Sequence, residues 1–102
     1  MASQPGSGYL MAELTITDPD VFYDEYMTLV TPLLKKYRAK FLSATNAPKV
    51  VEGGRRVQRI VLIEFESLRI AEEFYYSSEY QAVIDYRLRS SSSHLYLFEG
   101  LQ

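Results

Sequence analysis

The chain contains no cysteine in 102 residues, which excludes disulfides, thiol nucleophiles and thiolate metal sites outright. It has a single histidine, His94, so an imidazole-rich metal centre is out of reach and a haem iron would depend on that residue alone. Neither sign of charge is in excess. A formal net charge of −2 gives no electrostatic reason to expect nucleic acid or an anionic membrane surface as a partner. No apolar run approaches the roughly 18 residues that a membrane helix needs. The opening stretch, Met1 to Gly8, lacks the basic and apolar parts of a signal peptide and is read as a flexible arm. These absences point to a cytoplasmic protein. Its length suits one domain, residues 9–102, with a core large enough to need no staples.

Three motif classes are missing as well. Gly53-Gly54 opens onto a strand and not a helix, so there is no phosphate-cradling loop. The serines at 90–93 have neither a nucleophile elbow nor a matching histidine–acid set. The third strand lacks the basic-Gly-aromatic signature by which a sheet stacks RNA bases. Arg55, Arg56 and Arg59 read as a solvated basic edge at a turn. What the chain has in quantity is tyrosine, nine residues, an amphipathic ring suited to apolar walls that need hydrogen bonds.

Tyr9 to Ile16 alternates as a strand, with Leu10, Ala12, Leu14 and Ile16 on one face and Tyr9, Met11, Glu13 and Thr15 on the other. Asp18-Pro19 supplies an N-cap and a first helical residue. Phe22, Tyr26, Leu33 and Tyr37 then recur at helical spacing. Pro32 inside that run predicts a kink or a restart near Thr31. Lys40 to Asn46 is a second strand, interrupted at Ala47-Pro48 and resumed at Val50 to Glu52. Arg56 to Phe65 is the third, apolar on consecutive positions from Ile60 to Ile63, as a strand covered on both faces would be. Ser67 caps a short helix, and Ser78 with Gln81 forms a capping box for a second one from Glu79 to about Ser90. A serine loop leads to the last strand, His94 to Glu99.

The order βαββαβ is the ferredoxin-like arrangement: α+β, a four-stranded antiparallel-type sheet with helices on one face. The first and third strands are expected as parallel neighbours at its centre. Their apolar outer face needs a cover, and the same face of a second copy supplies one, giving a homodimer packed sheet to sheet.

From Tyr9-Leu10-Met11-Ala12-Glu13-Leu14 through Asp18-Pro19, the chain resembles the domain-of-unknown-function 1330 family, within the dimeric α+β barrel superfamily. The resemblance continues at Tyr23 and Tyr26, Lys40-Phe41-Leu42 and Val50-Val51-Glu52-Gly53. It resumes at Ile63-Glu64-Phe65, Ser77-Ser78-Glu79-Tyr80-Gln81, Tyr86-Arg87 and Phe98-Glu99-Gly100. Two departures stand out. Arg38-Ala39 occupies a turn where the family pattern usually has glycines, and Ser93-His94 stands where a polar, often acidic, pair is common. The resemblance implies a dimeric barrel. It leaves the activity open, because the superfamily holds cofactor-free monooxygenases, polyketide cyclases, lactone isomerases, haem enzymes and members without known activity.

The candidate catalytic residues are Glu13, Glu64 and His94. If the two central strands end level, the glutamates share a face and their carboxyl groups lie within roughly 5–8 Å. Such a pair in an apolar setting raises one pKa toward neutrality. Tyrosine or arginine partners are the alternative explanation for both. His94 is the natural proton shuttle by its pKa, or an exposed histidine at a strand mouth. Tyr23, Tyr26 and Tyr80 are candidate ligand contacts in a cleft between helices and sheet. Arg87 is either an ion-pair partner for Glu64 or Asp85 or a fork for a substrate carboxylate. The resulting expectation is a cofactor-independent isomerase or cyclase, using no metal, acting on a compact apolar or polyketide-like molecule. The alternative is a non-catalytic small-molecule-binding or structural dimer.

Overall fold

The computed structural model describes residues 6–101. Strands β1 (Gly8–Ile16), β2 (Lys40–Thr45), β3 (Arg59–Phe65) and β4 (Ser91–Glu99) form one sheet in the order β2-β3-β1-β4. Helices α1 (Met27–Lys36), α2 (Leu68–Tyr76) and α3 (Ser78–Ser90) complete the βαββαβ order, and a π-helical segment, Asp20–Tyr26, runs directly into α1. This is the α+β ferredoxin-like fold. Of the expected arm, Met1 to Pro5 lie outside the described residues. Ser7 is buried, and its carbonyl accepts a hydrogen bond from Gly100 N at 2.8 Å. Gly8 is required where it stands: a Cβ there would lie 2.5 Å from the backbone of Ser67 and Leu68, at the start of α2.

β1 and β3 are central neighbours but antiparallel, not parallel. The helical crossover returns β2 alongside β1's direction, and β3, running back from β2, inserts between them. The register pairs Tyr9 with Glu64, Met11 with Leu62 and Glu13 with Ile60. On the other side of β1 it pairs Tyr9 with Phe98, Met11 with Tyr96 and Glu13 with His94. Directly opposed residues point to one face, so these side chains share the face away from the helices. Leu10, Ala12, Leu14, Val61, Ile63 and Phe65 point the other way and form the core with Phe22, Val30, Leu34, Phe74 and Tyr80. The open face is partly apolar, with Tyr96 and Phe98 exposed on it.

Several boundaries differ from those expected. The helix neither ends nor restarts at Thr31: α1 continues through Pro32, and the change of helical register comes earlier, at Tyr26–Met27. Asp18 does cap the segment, its Oδ1 accepting from Val21 N at 3.2 Å. Val50 to Glu52 forms no strand, because pairing with β3 stops at Thr45↔Ile60, and the irregularity in β2 falls between Phe41 and Ser43, not at Ala47-Pro48. The cap of α3 is Ser77, not Ser78. Ser77 Oγ accepts from Tyr80 N at 3.1 Å and donates to Phe74 O at 2.7 Å, so one residue closes α2 and opens α3. There is no serine loop. Ser91, Ser92 and Ser93 pair with Ile16, Thr15 and Leu14 as the first residues of β4. The Ser91 hydroxyl donates to the Arg87 carbonyl at 2.7 Å, so helix passes straight into strand.

Arg38 holds φ 57°, the left-handed region that favours glycine. Ala39 N donates to Leu34 O and Arg38 N to Lys35 O, at 2.9 and 3.0 Å, the paired bonds of a Schellman helix stop. The departure at Arg38-Ala39 therefore falls on the position whose geometry suits glycine.

Candidate functional site

The residues singled out above fall into three places. On the open face, Glu13 and His94 are cross-strand partners, and both line a hollow of about 90 Å³ with Thr15, Arg55, Arg56 and Ser92. Arg55 reaches in from the β2–β3 connection to pair with Glu13 Oε1, and Tyr96 donates to Glu13 Oε2 at 3.4 Å. The hydrogen bond to Glu13 is the main reason the Arg55 guanidinium holds its proton more firmly than usual.

Glu64 lies on the same open face at the other end of the sheet, opposite Tyr9 and Lys40, with the Tyr9 hydroxyl 3.5 Å from its Oε2. Glu13 and Glu64 share a face, as the parity of their strands requires, yet they do not approach. Antiparallel pairing sets them four residues apart along the ladder, roughly 13 Å at the rise of a strand. Glu13 and Glu64 therefore form no like-charge carboxylate pair within the chain.

The third place is on the opposite side of the sheet. A cavity of about 50 Å³ opens between the sheet and the helices, walled by side chains such as Leu14, Phe22, Val61 and Leu95, with Tyr26, Tyr80, Arg59 and Arg87 as its polar lining. A water needs about 10–15 Å³ of such space, so the closed part suits a compact group of a few heavy atoms. Tyr26 comes from the π-helical segment, Tyr80 from the first turn of α3 and Arg87 from its last turn. Tyr80 and Arg87 are seven positions apart, two helical turns, and so project from one face of α3.

The Tyr26 and Tyr80 hydroxyls are 2.8 Å apart. Arg87 Nε donates to the Tyr80 hydroxyl at 3.1 Å, and its Nη1 to Ser93 Oγ at 2.6 Å. Tyr80 is 1 % exposed, Arg87 4 % and Tyr26 8 %. Burial, and then the Tyr80 hydroxyl, push the Tyr26 phenol well above its ordinary 10.0. Burial opposes the Arg87 charge, but attraction to the Tyr80 and Tyr26 oxygens outweighs it and the guanidinium stays protonated.

Arg87 has neither of its expected carboxylate partners. Asp85 pairs with Arg89 at 3.5 Å, and Glu64 is across the sheet. Among the described residues the ion pairs engage Lys36, Arg38, Arg55, Arg69 and Arg89, so Arg87 is a buried cation facing hydroxyls alone. Tyr23 is 42 % exposed, and its ring lies under Arg59 at 6.0 Å, outside the Tyr26–Tyr80 pair. No three His, Asp or Glu side chains among the described residues cluster as metal ligands would.

Two residues escaped the sequence reading. Arg59 is no solvated edge: it opens β3 with the parity of Val61, Ile63 and Phe65, and that parity is the signal that places it on the helix side. Ser93, read as loop, fixes the end of Arg87. Nothing in composition distinguishes it.

A family model described as "Domain of unknown function (DUF1330)" matches residues 7–101. No curated protein matches the chain. Among solved structures, a protein of unknown function from Rhodopseudomonas palustris superposes with a TM-score of 0.73 at 14% identity, over 97% of this chain and 85% of that one. SnoaB, a cofactor-independent oxygenase from Streptomyces nogalater, superposes at 0.66 and 11% identity, over 95% of each chain. A dimeric ferredoxin-like protein of unknown function from Thermobifida fusca gives 0.60 at 10% identity, over 98% and 96%. At these identities the likeness is one of fold. No helix among the described residues is long and apolar enough to cross a membrane.

Proposed function

The chain belongs to the DUF1330 family, and on that premise we propose that it binds a compact, largely apolar organic molecule by one acidic oxygen and promotes proton transfer on it without a cofactor. The observation that carries this reading is Arg87: a guanidinium 4 % exposed, open to an apolar cavity and balanced by no carboxylate among the described residues. A buried charge without a counter-charge is costly, and an anionic oxygen arriving in the cavity removes that cost. Arg87 and Tyr80 together form a preorganised donor pair for an enolate or phenolate oxygen. Stabilising that oxygen is the first requirement of isomerisation and of cyclisation alike, and the released proton passes to water at the cavity mouth. The homodimer belongs to the same proposal. The open face, with Met11, Leu62, Tyr96 and Phe98 on it, is covered by a second copy, as the description of the Thermobifida fusca relative as dimeric supports.

A second reading, binding without turnover, is favoured by one observation. Glu13, Glu64 and His94 all lie on the open face, so none of them reaches the cavity as a base. Acetylacetone labelled with ¹³C at its carbonyls separates the two. If the cavity stabilises an oxyanion, the bound diketone ionises at lower pH than the free one, and Arg87→Gln removes the shift while the protein stays folded. Binding without a shift leaves the sensor reading. No binding at all sinks both.

A further inference from the structure

Arg59 carries the one polar side-chain atom among the described residues that is buried and has no hydrogen-bond partner, its Nε. Elsewhere on the same group, Nη1 donates to Asn46 Oδ1 at 2.8 Å, and the guanidinium lies over the Tyr23 ring. Leaving a donor on a charged group buried and unbonded costs more than a hydrogen bond contributes, so the position calls for an acceptor. Arg59 lines the same cavity as Arg87. The register shows how the two are related. Arg59 is the cross-strand partner of Leu14, and Leu14 is the partner of Ser93 on the other side. Ser93 Oγ is the hydroxyl that takes Arg87 Nη1. Arg59, Leu14 and Ser93 are therefore one row across three strands, with β3 and β4 about 10 Å apart at two strand spacings. The row sets one guanidinium at each end of an apolar floor.

We propose that Arg59 is the second anchor of the ligand: the cavity takes a short-chain organic acid with two acceptor groups, one on Arg87 and one on Arg59 Nε, joined by a few carbons lying over Leu14. Dicarboxylates and keto acids have this form. The proposal rests on the reading of Arg87 as an anion site and adds to it the length of the ligand and the chemistry of its far end. The small closed volume rules for chains of a few carbons over fused rings, and the apolar floor for methylenes between the two ends.

Butanoate and succinate test it, since they share a four-carbon chain and differ in the second carboxylate. The ¹⁵N-labelled full chain is titrated with each while the Nε–H signals of Arg59 and Arg87 are followed. Butanoate is expected to move the Arg87 signal alone. Succinate is expected to move both and to bind roughly tenfold more tightly, the worth of one charge-assisted hydrogen bond. Arg59→Met, similar in length but without a donor, abolishes that preference. Equal affinities in the unaltered protein, or a preference that survives Arg59→Met, overturn the role of Arg59 and leave Arg87 as a single anchor. If neither acid moves the Arg87 signal, the anion site itself is wrong. The wild-type comparison decides the matter even if the variant fails to fold.

Discussion

Removing one oxygen, in Tyr80→Phe, is expected to cost far more than removing its neighbour in Tyr26→Phe. The difference follows from who holds whom. Tyr80 OH serves two groups, Tyr26 OH at 2.8 Å and Arg87 Nε at 3.1 Å, whereas Tyr26 OH is held chiefly by Tyr80, with a weaker influence from Arg87. Phenylalanine at 80 leaves a phenol and a guanidinium N–H without a partner in a setting 1 % exposed. A neutral hydrogen bond is worth about 1 kcal/mol and one to a charged group about 1.5–3, so Tyr80→Phe loses roughly 2.5–4 kcal/mol. Phenylalanine at 26 loses one neutral bond, about 1 kcal/mol, and Tyr80 still accepts from Arg87. Urea unfolding at one fixed protein concentration, with the m-values compared, measures both, the fixed concentration mattering because association adds to apparent stability. In a double-mutant cycle the two changes should couple by about 1 kcal/mol, their shared bond. Equal losses, or a Tyr26→Phe variant that is the weaker of the two, would refute the chain Tyr26–Tyr80–Arg87 as described.

Leu62→Glu places a charge opposite Met11 at the middle of the open face and should yield a folded monomer by light scattering; a dimer that persists means that another surface associates. Arg38→Gly relieves a side chain held at φ 57°. The left-handed strain of about 1–2 kcal/mol exceeds glycine's entropic penalty of about 0.5–1. The exposed Arg38–Glu66 contact at 3.6 Å adds little, so the variant should gain roughly 0.5–1 kcal/mol. A loss would show that the arginine does more than occupy a turn. Tyr26 sets an alkaline limit. Its folded pKa is raised above 10.0 by burial and by Tyr80, so the unfolded chain releases this proton first. The stability it contributes is complete below pH 10.0 and falls as pH rises above it. Near-ultraviolet titration should find a tyrosine that ionises only on unfolding, and Tyr26→Phe should flatten the decline.

The fold was legible because its signals are local. Alternation in β1, consecutive apolar residues in β3 and Asp18 and Ser67 as caps each depend on a few adjacent residues, and their order dictates the ferredoxin-like topology. Strand direction was not local. Parity put Glu13 and Glu64 correctly on one face, but their separation depends on which way β3 runs beside β1, and the parallel assumption brought together two carboxylates that the ladder holds apart. The serines at 90–93 misled for a similar reason. Their composition reads as loop, yet β1 extends to Ile16 and offers Ser91 to Ser93 a pairing edge, while the Ser90 and Ser91 hydroxyls satisfy carbonyls at the end of α3. Tyr26, Tyr80 and Arg87 were each singled out separately. That they form one chain of hydrogen bonds required Tyr80 and Arg87 to be two turns apart on α3 and Tyr26, the last residue of the π-helical segment, to be buried against Tyr80.

The sheet also separates charges, and that separation constrains any chemistry. Glu13 and Glu64 stand on the open face. The cavity side presents Arg59 and Arg87 together with the Tyr26 and Tyr80 hydroxyls, and burial keeps the Tyr26 phenol protonated at neutral pH. A lining of cations and neutral hydroxyls stabilises a negative oxygen well, but it does not take up a proton. A substrate turned over there has to be a carbon or oxygen acid already close to ionising, such as an enol, a phenol or a methylene between two carbonyls. For such a molecule the guanidinium shifts the balance toward the anion, by 1.36 kcal/mol for each unit that it lowers the bound pKa. A simple ketone or an ester, which needs a base or a nucleophile to begin, finds neither in this cavity. If the proposed proton transfer takes place there, the acidity of the bound molecule, more than its shape, is the property by which the site selects what it can transform.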